Sequence, residues 1–521
     1  MRIQSHRRAW TRSTTARVIG GGIVLLSAFV GAAALACMDY GPAPTGPIRD
    51  ALSTDPAVAR AATDKLRAMG PDGLGVLMAV YHRELRRHTG RNGIAFPSYT
   101  GQAYRAASVP EEPADPAQRL AARRAAPAGP DANSRDAVWN RLSAAIDAVA
   151  AQKDAAYSGL YWHTDIDAAR AAARESGRPI LSLRLLGTLD TEFSCANSRF
   201  FRTVLYANDE VSKALRERFV LHWQSVRPVP RVTIDMGDGR VVERTITGNS
   251  VHYVLDAEGR PLDAIPGLYG PRAFLRALDD AAQIARTLGG VTDAGARRTL
   301  LRDWHGARAA RLTEQWERDL ASLGIPTTAG GAPAAPENGA ARLHPRAAGA
   351  PTAVEAAGAA VGKTAVEFNI VRSLEPRVAT LRVTTTDDAW ARIAAMPAHA
   401  EDARLDGTSR LLVRAKYPAA LDAGRRAESK WQQEDPLLKV VANLQRSVSE
   451  DTVRNEYGFH RTVHEWFANR LPETAAADVG PLNEKVYAEL FLTPSTDPWL
   501  GLVPADTYSA LQGEGIKVVG K

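Results

Sequence analysis

Gly177-Arg178-Pro179-Ile180-Leu181-Ser182-Leu183-Arg184-Leu185-Leu186 is the stretch that decides the fold class of this chain. A helix-ending glycine and a proline lead into a mostly apolar run that reads as a strand. Ahead of it, residues 165–175 carry a helical pattern closed by Gly177. Behind it, Cys195-Ala196-Asn197-Ser198 leads into a helical stretch over 198–218, and 219–223 is a second short strand. Residues 231–235 and 241–245 flank Gly237-Asp238-Gly239, which predicts a β-hairpin. A second hairpin is predicted for 251–255 and 262–265, joined through Asp256-Ala257-Glu258-Gly259, and Pro271 opens a helix to about residue 286. This order of elements defines an α/β unit with a mixed sheet and flanking helices.

Working outward, the 521 residues, 45% hydrophobic, hold enough material for more than one core. At the N-terminus Arg2, Arg7, Arg8, Arg12 and Arg17 precede an apolar run that ends at Ala34-Leu35-Ala36-Cys37. That pattern reads as a signal peptide over 1–36, with Cys37 as the lipidated first residue of an exported, membrane-anchored envelope or periplasmic lipoprotein. Ordinary cleavage after Ala36, an uncleaved anchor and a twin-arginine signal at Arg7-Arg8 are the alternatives. Residues 37–50 read as a tether. Residues 51–157 read as a helical region that opens with a pair of helices about Met69-Gly70-Pro71, resembling one HEAT-like unit, and contains a mobile Pro/Ala-rich insertion over 101–136. The α/β unit and trailing helices occupy 158–323, an Ala/Gly/Pro linker 324–363, and a separate C-terminal α+β domain 364–521. In that last domain 379–384 and 409–414 are predicted as strands, and 387–395, 419–433, 436–447 and 451–470 as helices.

The net charge of +7 is spread along the chain and mixed with carboxylates, so a phosphate-tracking surface is not expected and nucleic acid is excluded as a partner. No Walker loop, nucleophile elbow or dinucleotide fingerprint occurs, and no cofactor is expected. The chain has only two cysteines, Cys37 and Cys195, so Cys195 has no disulfide partner once Cys37 is acylated.

The order Tyr161-Trp162, then Gly177-Arg178-Pro179-Ile180, Cys195-x-x-Ser198, Asp209-Glu210-Val211 and Arg216-Glu217-Arg218-Phe219-Val220 resembles bacterial thioredoxin-like domains. The resemblance covers about a quarter of the chain. It implies a thioredoxin fold in which Cys195 holds the nucleophilic position and Ser198 the resolving one, with a protein thiol as partner. At a helix N-terminus the unpaired N–H groups favour a thiolate, which is both a nucleophile and a target for oxidation. The sequence departs from the family in three places. Ser198 replaces the resolving cysteine, Asn249-Ser250 stands where the family carries a cis-proline, and the segment from Ile180 to Cys195 is long, which predicts a displaced thiol. Ser194 and Asn197 are candidate helix caps, and His163, His222 and His252 flank the strands as structural histidines or modulators of Cys195.

His460 and His464 lie one helical turn apart, with Glu456 one turn earlier, and are the candidate metal ligands. Arg461 stands where the zinc-protease signature requires Glu, so a solvated or partly packed helix face is the preferred reading. The Pro- and Trp-rich segment 492–502 is expected to be an ordered terminal segment that docks Trp499 into a groove, with a partner-binding surface as the alternative. Two functions stay open. One is single-thiol exchange or redox sensing through Cys195; the other is a non-enzymatic envelope scaffold or interaction lipoprotein on a degenerate thioredoxin fold.

Overall fold

Strand β1 (Ile180–Leu186) is buried at every position, because neighbours pair with both its edges and helices cover both its faces. In the computed structural model of the chain, residues 46–91, 132–245, 249–327, 376–417, 436–498 and 500 are described, all within the unit that begins at Thr45. The signal peptide, Cys37, the 419–433 helix, Trp499 and almost all of the 101–136 insertion and the 324–363 linker lie outside them. Residues 47–50, expected as the end of a tether, form a helical turn, Pro47–Asp50.

β1 is followed by a helix, Ala196–Phe200, that continues as a π-helical turn, Phe201–Tyr206, and then by the helix Asp209–Arg218. The break between them falls at Asn208, whose side chain accepts from the N–H groups of Glu210 and Val211 and so caps a new helix. β2 (Val220–Arg227) returns parallel to β1, Ile180 facing Val220. β3 (Arg231–Asp235) and β4 (Val241–Thr245) form the exposed hairpin that Gly237 and Gly239 predicted. β5 (Ser250–Leu255) pairs antiparallel with the other edge of β1, and β6 (Pro261–Pro266) pairs antiparallel with β5. The four-stranded sheet therefore runs β2-β1-β5-β6. His163 makes a parallel bridge to His222 on the outer edge of β2.

One face of the sheet is covered by the helix Pro271–Gly289, which buries Phe274, Leu278 and Ile284 in the sheet's core. On the N-terminal side, the helices Pro56–Ala68 and Pro71–Val80 form the expected pair. Asp55 caps the first, and Gly70 enters the second at φ 68, a left-handed backbone that suits glycine. They pack Leu66, Leu74 and Leu77 against Ile146 of the helix Ala132–Ala150.

The C-terminal part departs from expectation. The segments predicted as strands are helices, Pro376–Thr384 and Gly407–Lys416, and no strand occurs among the described residues beyond β6. This part does not build a separate α+β core either. Phe459, Val463, Leu482 and Tyr487 belong to the same hydrophobic cluster as Leu183 and Val254 of the sheet. A further cluster stacks Trp316, Trp390 and Tyr457 where the helix Ala294–Ser322 meets the helices Asp387–Ala394 and Pro436–Arg454.

Candidate functional site

The thiol sits at the C-terminal end of β1. The residues between Leu186 and Cys195 loop out and return, and the Cys195 N–H donates to the Leu186 carbonyl at 3.1 Å. The length of the segment therefore does not displace Cys195 from the strand end. Arg202, itself buried, pins the loop by donating to the carbonyls of Thr191 at 2.6 Å and Glu192 at 3.2 Å. The Thr245 hydroxyl adds a bond to the Ser194 carbonyl at 2.7 Å. Cys195 occupies the N-cap position of its helix, which has no side-chain cap, so the capping expected of Ser194 and Asn197 is not found.

Cys195 and Ser198 are brought together as the sequence predicted. The Ser198 hydroxyl lies 3.3 Å from Sγ and donates to the Cys195 carbonyl at 3.0 Å. A partner that the sequence did not single out as a contact comes closer: the Ser250 hydroxyl, at the start of β5, is 2.8 Å from Sγ. Cys195, Ser198 and Ser250 are all 0% exposed. Burial, and after it the neighbouring Cys195, push the Tyr206 and Tyr487 phenols well above their ordinary range.

Tyr487 belongs to a C-terminal segment that closes over the start of β5. Its hydroxyl donates to the Asn249 carbonyl at 2.9 Å, and the Asn249 amide donates to the Thr493 hydroxyl at 2.8 Å. From β2, Arg227 donates to the carbonyls of Thr493 and Asp497, each at 2.9 Å. The Tyr253 hydroxyl donates to the Asn483 side chain at 3.2 Å. The chain's own residues 483–497 thus hold the residue that precedes Ser250.

The strand histidines are engaged elsewhere. Nδ1 of His222 meets the Ser182 hydroxyl at 2.8 Å, and Nε2 of His252 meets the Tyr206 hydroxyl at 2.7 Å. Burial lowers both histidines to about 3 and His163 to about 4, so all three are neutral in the folded chain near pH 7.

His460 and His464 do come together, with ring centroids 4.2 Å apart, and at 5% and 3% exposed they lie on a fully packed face rather than a solvated or partly packed one. They ride on a continuous helical run in which π-helical turns, Asn455–His460 and Trp466–Arg470, flank Arg461–Glu465. Glu456 is not part of their cluster; burial pushes its carboxyl up and it lies 3.7 Å from the Arg276 guanidinium. The partners instead are Asp263 of β6 and His305 of the helix Ala294–Ser322, which sequence reasoning missed because neither has a motif around it. His460 Nε2 is 3.1 Å from an Asp263 carboxylate oxygen, and the Nδ1 atoms of His305 and His464 are 2.7 Å apart.

Fold and site together define the class: a mixed α/β protein with a thiol enclosed at the end of its central strand. No family model, curated protein or solved structure matches the chain.

Proposed function

We propose that this chain is an exported envelope protein in which a thioredoxin-like unit serves as a closed scaffold, its single thiol kept inside the fold. Three features support the family reading. The sheet runs β2-β1-β5-β6 with β1 and β2 parallel, a helix starts at Cys195 just after β1, and Ser250 stands beside the thiol where the family carries its proline. Export and lipidation at Cys37 rest on the N-terminal sequence.

The observation that carries the scaffold reading is the burial of Cys195 at 0% exposure, with the chain's own 483–497 segment bonded to the residue before Ser250. Thiol–disulfide exchange needs a thiolate to reach a disulfide sulfur, so a sulfur with no exposed surface exchanges only after the fold opens. With Ser198 in the resolving position, a mixed disulfide once formed also has no internal thiol to release it.

The test uses the full chain with Cys37→Ala, so that Cys195 is its only thiol. It is incubated with oxidised glutathione or an unfolded disulfide-bearing protein, and adducts are read by intact mass. The scaffold reading expects no adduct in the folded chain and complete reaction in guanidinium. Adduct formation in the folded chain at the rate of the unfolded one overturns it.

A further inference from the structure

The cluster around Asp263 joins three parts of the fold that are remote in sequence: β6, the helix Ala294–Ser322 and the helical run through Arg461–Glu465. One donor atom each from Asp263, His305 and His464 lies within 4.8 Å of the others, and all three residues are buried. The closest pair is Nδ1 of His305 and Nδ1 of His464 at 2.7 Å; Nδ1 of His464 is 3.9 Å from Asp263 Oδ1.

The second contacts fix which atoms face inward. Nε2 of His305 lies 3.0 Å from the Leu262 carbonyl, which can only accept, so that nitrogen carries the proton and a neutral ring turns its Nδ1 lone pair toward His464 and Asp263. The 2.7 Å contact then makes His464 Nδ1 the donor to His305 Nδ1, and a cation taken up there displaces that proton and meets a lone pair on each ring beside the Asp263 carboxylate. Arg308, one turn after His305 on the same helix, is taken up by Asp280.

The surroundings are those of a ligand set with an outer shell. His460 holds the Asp263 carboxylate through Nε2 at 3.1 and 3.2 Å, and the Leu262 carbonyl holds His305. Phe467 stacks on His305 at 4.2 Å, and Trp304 meets His305 and His464 edge-on.

We propose that Asp263, His305 and His464 form an interior binding site for a divalent first-row metal ion of the zinc class, with His460 orienting the carboxylate. Imidazole nitrogen and carboxylate oxygen are the donors such ions take, at about 2.0–2.2 Å, and a cation at that distance needs only small ring shifts from the present spacing. The ion fastens the two helices to the sheet edge strand β6. This site is independent of Cys195 and of the function proposed for it.

The experiment uses the untagged full chain, purified without chelator from cells grown with added zinc. Elemental analysis is expected to find about one zinc per chain, and chain refolded from guanidinium with Co²⁺ is expected to show the visible absorption of a low-coordinate nitrogen- and oxygen-ligated site. His305→Gln and His464→Gln are each expected to lose the ion. A wild-type chain that regains its circular dichroism yet takes up neither ion overturns the proposal. So does an ion retained in both variants, which places it elsewhere. If a variant does not fold, the Co²⁺ spectrum of the wild type decides.

Discussion

On the closed-scaffold reading, reaching Cys195 from solvent requires residues 483–497 to leave Asn249, and the cost of that opening follows from the bonds it breaks. Tyr487 to Asn249, Asn249 to Thr493, and Arg227 to Thr493 and Asp497 are hydrogen bonds of 2.8–2.9 Å. Each contributes about 1 kcal/mol net. Tyr487 and Phe491, both buried, add about 2 kcal/mol each when exposed. These groups alone put the opening at about 8 kcal/mol or more, which slows alkylation of Cys195 by a factor on the order of at least 10⁵–10⁶ relative to the unfolded chain, at about 1.4 kcal/mol per tenfold. Tyr487→Phe removes one of these bonds and keeps the ring, so it is expected to speed labelling about fivefold, and Arg227→Leu, which removes two, about thirtyfold. The assay is a time course of iodoacetamide labelling at neutral pH in the Cys37→Ala chain, followed by peptide mass spectrometry. Wild-type labelling within about tenfold of the unfolded rate, or no acceleration in either variant, refutes the closure.

Acid is expected to destabilise the fold through its strand histidines. His252 falls to about 3 in the folded chain from an ordinary value of 6.5, so its contribution is fully present above 6.5 and is lost as pH falls toward about 3. His252→Gln, whose amide can still meet the Tyr206 hydroxyl, is expected to flatten the dependence of urea stability on pH between 6 and 4 by on the order of 1 kcal/mol per unit. Identical slopes in the two proteins contradict this. Arg202→Met is expected to lower stability by about 2–4 kcal/mol in urea titrations, because the carbonyls of Thr191 and Glu192 lose their buried donor. A shift below about 0.5 kcal/mol shows that Arg202 does not hold the loop.

The sheet was legible in the sequence because its signals are local. The apolar run after Gly177-Arg178-Pro179 is β1, Gly237 and Gly239 turn the β3–β4 hairpin, and Asp256 to Gly259 turn the next. The pairing of Cys195 with Ser198 was legible for the same reason, being one turn of helix. Two failures had different causes. The alternation in 379–384 fits a strand, but Val378 and Leu381, three apart, are the residues that bury against Trp316 and Trp390, so tertiary packing selects a helix. Residues 409–414 follow a helix-start signal that competes with the strand pattern: Asp406 accepts from the Ser409 N–H as an N-cap. The histidine cluster was half legible. His460 and His464 share a helix, whereas His305 meets His464 across 159 positions of chain and Asp263 arrives on an edge strand, contacts for which no short pattern exists. The closure by Tyr487 and Thr493 was invisible on the same ground, with 238 and 244 positions between the partners.

That closure is tested most directly by joining it covalently. The Asn249 and Thr493 side chains meet through a 2.8 Å hydrogen bond, so the full chain carrying Cys37→Ala, Cys195→Ser, Asn249→Cys and Thr493→Cys is treated while folded with a short bifunctional thiol cross-linker, which accepts wider sulfur separations than a disulfide, and is then digested. The closed-scaffold account predicts a cross-linked peptide pair between positions 249 and 493 in most chains. Singly modified thiols at those positions, with no cross-linked pair in the folded protein, would contradict it.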